Sequence, residues 1–340
     1  MGKKTTIYDI AKKLNITAAT VSRALNNNPR VSQATKELVV KTAAEMNYEQ
    51  NRLALALKSG KSMNVGVIVP YINRNFFSTI IRGIEEELYP MGYHVIICQT
   101  HDEAQREKET VQNLLNAQVD GILMSLATDS QGEEHFKQVL KKNVPLIFFD
   151  RKKNMAGASS VCIDDYQGGF EATQHLIDQG CSRIAHLVVN RSLEVYKNRF
   201  EGYRKALEKN GLEFNEEYII ELESDFEAGK EAAEKLMKLD PPPDAIFSAT
   251  DHGALGAIKY IKSTGVKIPD QVCVVGFSNE PFTQFMEQSI SSVDQSPLEM
   301  GKKAARVFLE QLERKGKEKI VKEVVLTPKL EIRQSSLRNI

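Results

Sequence analysis

From Asn64 onward, short apolar runs alternate with longer amphipathic stretches, and this alternation constrains the fold more than any other feature of the chain. Residues 65–69, 95–98, 122–125 and 146–149 are apolar runs of strand length, as expected of buried parallel strands. Between them, residues 77–89 and 103–117 read as helices. A second series follows, with strands expected over 184–189, 218–222, 245–248 and 272–275. Two successive βαβ series predict two doubly wound α/β lobes with parallel sheets. Sheets of this kind bind ligands at the carboxyl ends of their strands, so two facing lobes make a cleft. At 340 residues and 41% hydrophobic content, the chain can build more than one core of ~100–150 residues.

Residues 1–60 have a different texture. Lys plus Arg and Asp plus Glu both total 45, for a net charge of zero. The first sixty residues nevertheless carry ten basic and four acidic groups, so this segment is +6 and the remainder −6. A basic terminal segment on an acidic body points to a polyanion partner. Thr6 caps a first helix, with Asp9 as the acid three residues on, and Ile7, Ile10, Ala11 and Leu14 form one apolar face. Asn15 suits the turn that follows. Thr17 caps a second helix over 18–25 whose inner face is Val21, Ala24 and Leu25, and Asn26-Asn27-Asn28-Pro29 stops it. Ser32 caps a third helix to Met46, buried through Leu38, Val39, Thr42 and Met46. Two short helices, a tight turn and a supporting helix predict a helix-turn-helix. The outer face of the second helix carries Thr17, Ala18, Ala19, Ser22, Arg23 and Asn26, side chains suited to base edges and phosphates.

The runs Thr6-Ile7-Tyr8-Asp9-Ile10-Ala11 and Thr20-Val21-Ser22-Arg23-Ala24-Leu25-Asn26 resemble the head of the lactose-repressor (LacI/GalR) family. Val31-Ser32, Thr35 and Met46-Asn47-Tyr48 continue the likeness in register. The resemblance implies that the second helix enters the major groove of operator DNA, with Ala18, Ala19 and Arg23 choosing the sequence. It also implies that Tyr8, Thr17, Ser22, Asn26, Arg30, Ser32 and Thr35 position phosphates. Residues 51–58 are a good helix former but too short to be stable alone. In the family such hinge helices pair across a dimer in the minor groove, which gives Asn51, Leu57 and Lys58 a DNA role, with Leu57 wedged into a base step. The family often has Pro before that asparagine; here Gln50 stands there.

The likeness continues through Val119-Asp120-Gly121-Ile122, Phe149-Asp150-Arg151, Asp251-His252-Gly253-Ala254-Leu255-Gly256, Ile268-Pro269-Asp270 and Gly276-Phe277. It implies a periplasmic-binding-protein-like core that forms a homodimer and holds a small effector, commonly a sugar or nucleobase. The expected fold is therefore an all-α head over 1–50, a hinge over 51–61 and a two-lobed α/β core over 62–340. Candidate effector residues are Phe76, Phe77 and Phe226 for flat surface, and Asp150, Arg199, Asp251 and Gln295 for directed hydrogen bonds. Ser278 belongs with them, at a position where many sugar-binding members carry an acid. The chain contains no Trp.

Enzyme signatures are missing where they should fall. Gly60-Lys61-Ser62 ends like a P-loop, but Leu55 occupies the place of its first glycine. No G-x-G-x-x-G follows a strand, there is no G-x-S-x-G or H-E-x-x-H, and the six histidines are dispersed. The expectation is a ligand-responsive DNA-binding regulator with no catalytic site, cofactor or metal, most simply a repressor released by its effector. Four scattered cysteines, the lack of a long apolar run and a polar N-terminus suit a cytoplasmic, nucleoid-associated protein outside the membrane. A solute-binding protein without a DNA role is the competing reading, opposed by the basic head. Only seven residues follow the last expected strand, 330–333, too few for a heptad helix, so a dimer rather than a tetramer is expected.

Overall fold

The computed structural model describes residues 5–48, 60–130, 132–223, 225–313 and 321–338. The chain divides into two compact units, Met1–Ser62 and Met63–Ile340.

The first unit contains α1 (Ile7–Leu14), α2 (Ala18–Leu25) and α3 (Gln33–Glu45). Thr6 and Asp9 close a capping box on α1, and Asn15 ends that helix in the left-handed region. The Thr17 hydroxyl accepts the Thr20 N–H at the start of α2, and the Ser32 hydroxyl accepts the Thr35 N–H at the start of α3. Ile10, Ala11, Val21, Ala24, Val39 and Ala43 form the core. The expected inner face of α3 needs one correction: Leu38 is exposed, and Ala43 takes its place beside Val39 and Thr42. Positions 39, 42, 43 and 46 make one stripe at helical spacing, and 38 lies off it.

The second unit has two six-stranded sheets. Lobe 1 starts with β1 (Asn64–Val69), α4 (Asn75–Leu88), β2 (His94–Gln99), α5 (Ala104–Asn116), β3 (Gly121–Met124), α6 (Glu134–Lys141), β4 (Leu146–Phe149) and β5 (Ser159–Ile163). Lobe 2 runs through α7 (Asp165–Asp178), β6 (Ile184–Val188), α8 (Glu194–Lys209), β7 (Ile219–Glu221), α9 (Phe226–Leu236), β8 (Ala245–Ser248), α10 (Asp251–Ser263), β9 (Cys273–Phe277), the short α11 (Phe282–Phe285) and β10 (Ser291–Asp294). The chain then returns: α12 (Pro297–Glu313) covers the lobe 1 sheet, β11 (Glu323–Leu326) pairs with β5, and β12 (Lys329–Glu331) pairs with β10. Strand order is β11-β5-β4-β3-β1-β2 in lobe 1 and β12-β10-β9-β8-β6-β7 in lobe 2. All neighbours are parallel except β10 and β12, and the register is set by pairs such as Val65 with Val95 and Ile184 with Ala245.

Each sheet is buried on both faces, which is why its central strands read as unbroken apolar runs. The lobes are thus interleaved in sequence, joined at residues 164, 295–296 and 327–328. Strands β5, β10 and β11 lie outside the expected set. Two of them carry paired serines, and β11 is an edge strand with an alternating pattern. No helix among the described residues is long and apolar enough to cross a membrane.

Candidate effector cleft and DNA-reading face

In the first unit the outer face of α2 presents Ala19 and Arg23 to solvent, with Ser22 half-buried beside them. Tyr8 is 71% exposed and Arg30 is exposed. Several of the other DNA candidates are also engaged in local structure. Thr17 and Ser32 are the caps described above, Thr35 shares a hydrogen bond with Ser32 at 2.8 Å, and Asn26 donates to the Ser22 carbonyl at 2.7 Å. Ala18 is half-buried against the core of the unit. Asn51, Leu57 and Lys58 lie outside the described residues.

In the second unit a cavity of about 670 Å³ lies between the lobes, and most of its wall comes from residues directly following strands. Phe76, Phe77, Asp150, Arg199, Asp251, Ser278 and Gln295 all line it. Phe226 does not: Asp225, which does line the cavity, caps α9 through the Ala228 N–H at 2.8 Å. The residue after the cap is thereby placed on the helix, with its carbonyl against α10 at Gly256.

Hydrogen bonding separates these residues into two kinds. Arg199 is almost wholly buried, and each of its three guanidinium nitrogens already donates within lobe 2. It donates to Asp165 at 2.8 Å, to the Ala249 carbonyl at 2.9 Å and to Gln295 at 3.1 Å, and its guanidinium lies 3.6 Å from the Phe277 ring centroid. Gln295 in turn donates to the Ser278 hydroxyl at 2.9 Å. Asp251 also has both oxygens engaged, accepting the Ser292 hydroxyl at 2.6 Å and the Glu280 N–H at 2.7 Å. These groups build the floor. Asp150 differs: one oxygen accepts the Ser125 hydroxyl at 3.1 Å and the carboxyl lines the cavity, held by a left-handed backbone with φ +59°. Short polar residues such as Asp tolerate that conformation.

Burial dominates the electrostatics. It pushes Asp251 up to about 7 and, against the opposing pull of Arg199, pushes Asp165 up to about 6. It raises Asp150 as well, and it drives His252 down to about 4, so this ring is neutral at pH 7. Sequence reasoning missed Arg151, which donates to Asp102 at 2.6 Å, and also Arg74, Tyr196 and Glu280 on the cavity wall. For Arg151 and Glu280 the available signal was position, just beyond a strand's carboxyl end.

A basic helix-turn-helix head and a two-lobed core with a polar cleft define a class: one-chain regulators that read DNA with one domain and a small molecule with the other. A family model described as bacterial regulatory proteins, lacI family, matches residues 6–51. A second, described as periplasmic binding proteins and sugar binding domain of LacI family, matches residues 62–331. The chain belongs to the lacI family of bacterial regulatory proteins, and it is a transcriptional regulator. Catabolite control protein A of Priestia megaterium is 33% identical over 335 residues, covering 97% of this chain and 99% of its own. The HTH-type transcriptional repressor CytR of Escherichia coli K12 is 34% identical over 312 residues, covering 91% of this chain and 90% of its own. Among solved structures, the transcriptional regulator CelR in complex with cellobiose matches with a TM-score of 0.73 at 26% identity, covering 98% of this chain and 100% of that one.

Proposed function

We propose that this regulator binds operator DNA as a homodimer and represses transcription, and that a small polyol or sugar bound between the lobes releases it. The carrying observation is the cleft itself, a roomy cavity at the strand ends of both sheets, with walls rich in hydrogen-bonding groups. Asp150 is the group best placed to accept effector hydroxyls. Phe76 and Phe77, at 5.1 Å between centroids, offer an aromatic edge, and the similar CelR was solved with a disaccharide. Arg199 and Asp251 are positioning residues that act through Asp165, Gln295, Ser292 and Glu280. On the DNA side, Arg23, Ala18 and Ala19 read bases, and Tyr8, Ser22, Asn26 and Arg30 hold the backbone together with the capping hydroxyls. The regulator works in the cytoplasm, on the chromosome.

The test is fluorescence anisotropy with operator fragments recovered by selection from random DNA, run across a salt series and with a panel of mono- and disaccharides. Expected are sequence-specific binding that weakens steeply with salt and release by at least one sugar. Sequence-indifferent binding, or specific binding strengthened by every ligand that binds the cleft, would falsify the repressor-and-release reading.

A further inference from the structure

Among the described residues, seven acids and three arginines line the cleft, and most of the arginine charge is already matched. Arg151 donates to Asp102 at 2.6 Å, and its Nε stands 3.9 Å from Asp150, beyond hydrogen-bond reach. Arg199 donates at 2.8 Å to Asp165, an acid that lies outside the cleft wall. Glu221 has its own partner in Arg191, at 3.9 Å. What remains is Arg74 against Asp150, Glu223, Asp225, Asp251 and Glu280. Asp251 has both oxygens bonded and a pKa of about 7, but setting it aside still leaves the cleft electronegative.

Asp150 is the acid on which this excess bears most. It is only 6% exposed, and its backbone is fixed by the N–H bond to the Val161 carbonyl at 3.1 Å. Its Oδ2 accepts the Ser125 hydroxyl, whereas its Oδ1 accepts no hydrogen bond from a described residue. A buried carboxylate oxygen left without a donor is costly, and a donor on a ligand in the cleft removes that cost. Glu223 and Asp225 stand apart from it, exposed between β7 and α9 on the lobe 2 lip, and neither has an ion-pair partner among the described residues.

We propose that the effector is a cation, a sugar or small polyol carrying an amino group, whose ammonium is held by Asp150. A charged N–H donor bonds a carboxylate about twice as strongly as a neutral donor does. The ammonium supplies both the missing donor and the missing positive charge, and the acids of the lip raise its concentration at the mouth of the cleft. A sugar phosphate or sugar acid meets the reverse situation. The buried arginines that would receive it are already paired, and its charge adds to that of the acids. This inference rests on reading the cleft as the effector site, and it narrows the class of that effector.

The full chain is titrated by calorimetry with glucosamine, galactosamine and mannosamine, each beside its parent sugar and its N-acetyl derivative, in slightly acid buffer that keeps the amine protonated. At least one amino sugar binds about tenfold or more tighter than its parent, the N-acetyl form gains nothing, and the advantage shrinks with added salt. Asp150→Asn, which keeps an acceptor for Ser125, removes the advantage. Where that variant lacks a native circular-dichroism spectrum, Glu223→Gln combined with Asp225→Asn carries the test. Both positions are exposed, Asn still caps α9, and the advantage falls. Parent sugars that bind as tightly as their amino forms overturn the inference and leave the effector reading standing. An advantage that survives Asp150→Asn, or that is undiminished in the lip variant when Asp150→Asn does not fold, overturns it as well. If no sugar of either kind binds, the effector reading falls and takes this inference with it.

Discussion

Asp251 is ionisable, deeply buried and placed between lobe elements, so its protonation is a property of folding as well as of the cleft. Its folded pKa of about 7 lies above the ~3.9 of an unfolded aspartate. The folded chain therefore holds this proton more tightly, and the group's contribution to stability is complete below pH ~4 and is lost as pH rises through 7. His252, driven down to about 4, acts in the opposite direction over pH 4–6.5, so only a difference between variants isolates Asp251. Asp251→Asn keeps one acceptor and loses one hydrogen bond, a roughly pH-independent cost of about 1 kcal/mol. Melting curves from pH 4 to 7 should show wild type losing stability relative to this variant as pH rises. A constant difference across that range would mean that Asp251 titrates alike in the folded and unfolded chains. On the head, Arg23 is exposed on α2 and points to a different measurement. Arg23→Ala should lower operator affinity and relax sequence choice by ~1–3 kcal/mol at one base position, as measured against a set of single-base operator variants. Equal weakening on all sequences would make it a phosphate contact.

At the scale of elements, the lobes owe their tightness to glycines where helices cross. A Cβ on Gly169 of α7 would lie 2.2 Å from the Arg199 carbonyl oxygen, and one on Gly202 of α8 would lie 2.2 Å from the Tyr166 carbonyl oxygen. Gly169→Ala must push α8 away just where it carries Arg199. It should cost ~1–3 kcal/mol of stability, read by thermal melting, and also weaken effector binding, because the Arg199 network shifts with the helix. A variant that melts early but binds normally would separate the crossing from the cleft. None of this was visible in the amino-acid pattern, since a glycine within a helical stretch does not show what it faces. The three head helices, by contrast, were legible to within about a residue because their caps are local: Asp9 accepts the Thr6 N–H, and the Thr17 and Ser32 hydroxyls each accept a backbone N–H within the next turn. The β5 and β10 strands were hidden because their serines are satisfied by distant partners. Ser159 accepts from Gln311 and from the Lys322 N–H, and Ser291 exchanges hydrogen bonds with Arg333. The strand-end positions of Asp150 and Asp251 followed from the βαβ rhythm, whereas that of Gln295 did not, because it follows the hidden β10. The course of the loop carrying Glu280 did not follow from it either, because it depends on positive φ at Ser278 and Asn279 and on Arg333, far along the chain, which donates to the Asn279 side chain at 2.7 Å.

At the scale of the whole regulator, cleft and DNA must be linked reciprocally. Whatever factor the effector changes operator affinity by, operator must change effector affinity by the same factor, typically ~1–3 kcal/mol. Measuring effector affinity with and without saturating operator tests this directly, and equal affinities would mean that the cleft does not control DNA binding. The hinge reading adds a sharper expectation. If Leu57 wedges a base step, Leu57→Ala should weaken operator binding far more than binding to random DNA, because only the specific complex gains from the wedge. Parallel losses on both DNAs would remove Leu57 from the mechanism.

The threefold passage of the chain between the lobes also governs how the protein can be made. Lobe 1 is begun by residues 64–163 but lacks α12 and β11 until the segment after lobe 2 has been synthesised, and lobe 2 lacks β12 until the chain has passed through lobe 1 once more. Neither lobe can therefore close its sheet on the ribosome before nearly all of the core has emerged. During translation α4 alone covers one face of the lobe 1 sheet, and the part that α12 later covers stays open for as long as lobe 2 is being built. A nascent regulator of this design leaves the ribosome with both halves unfinished, and they finish together.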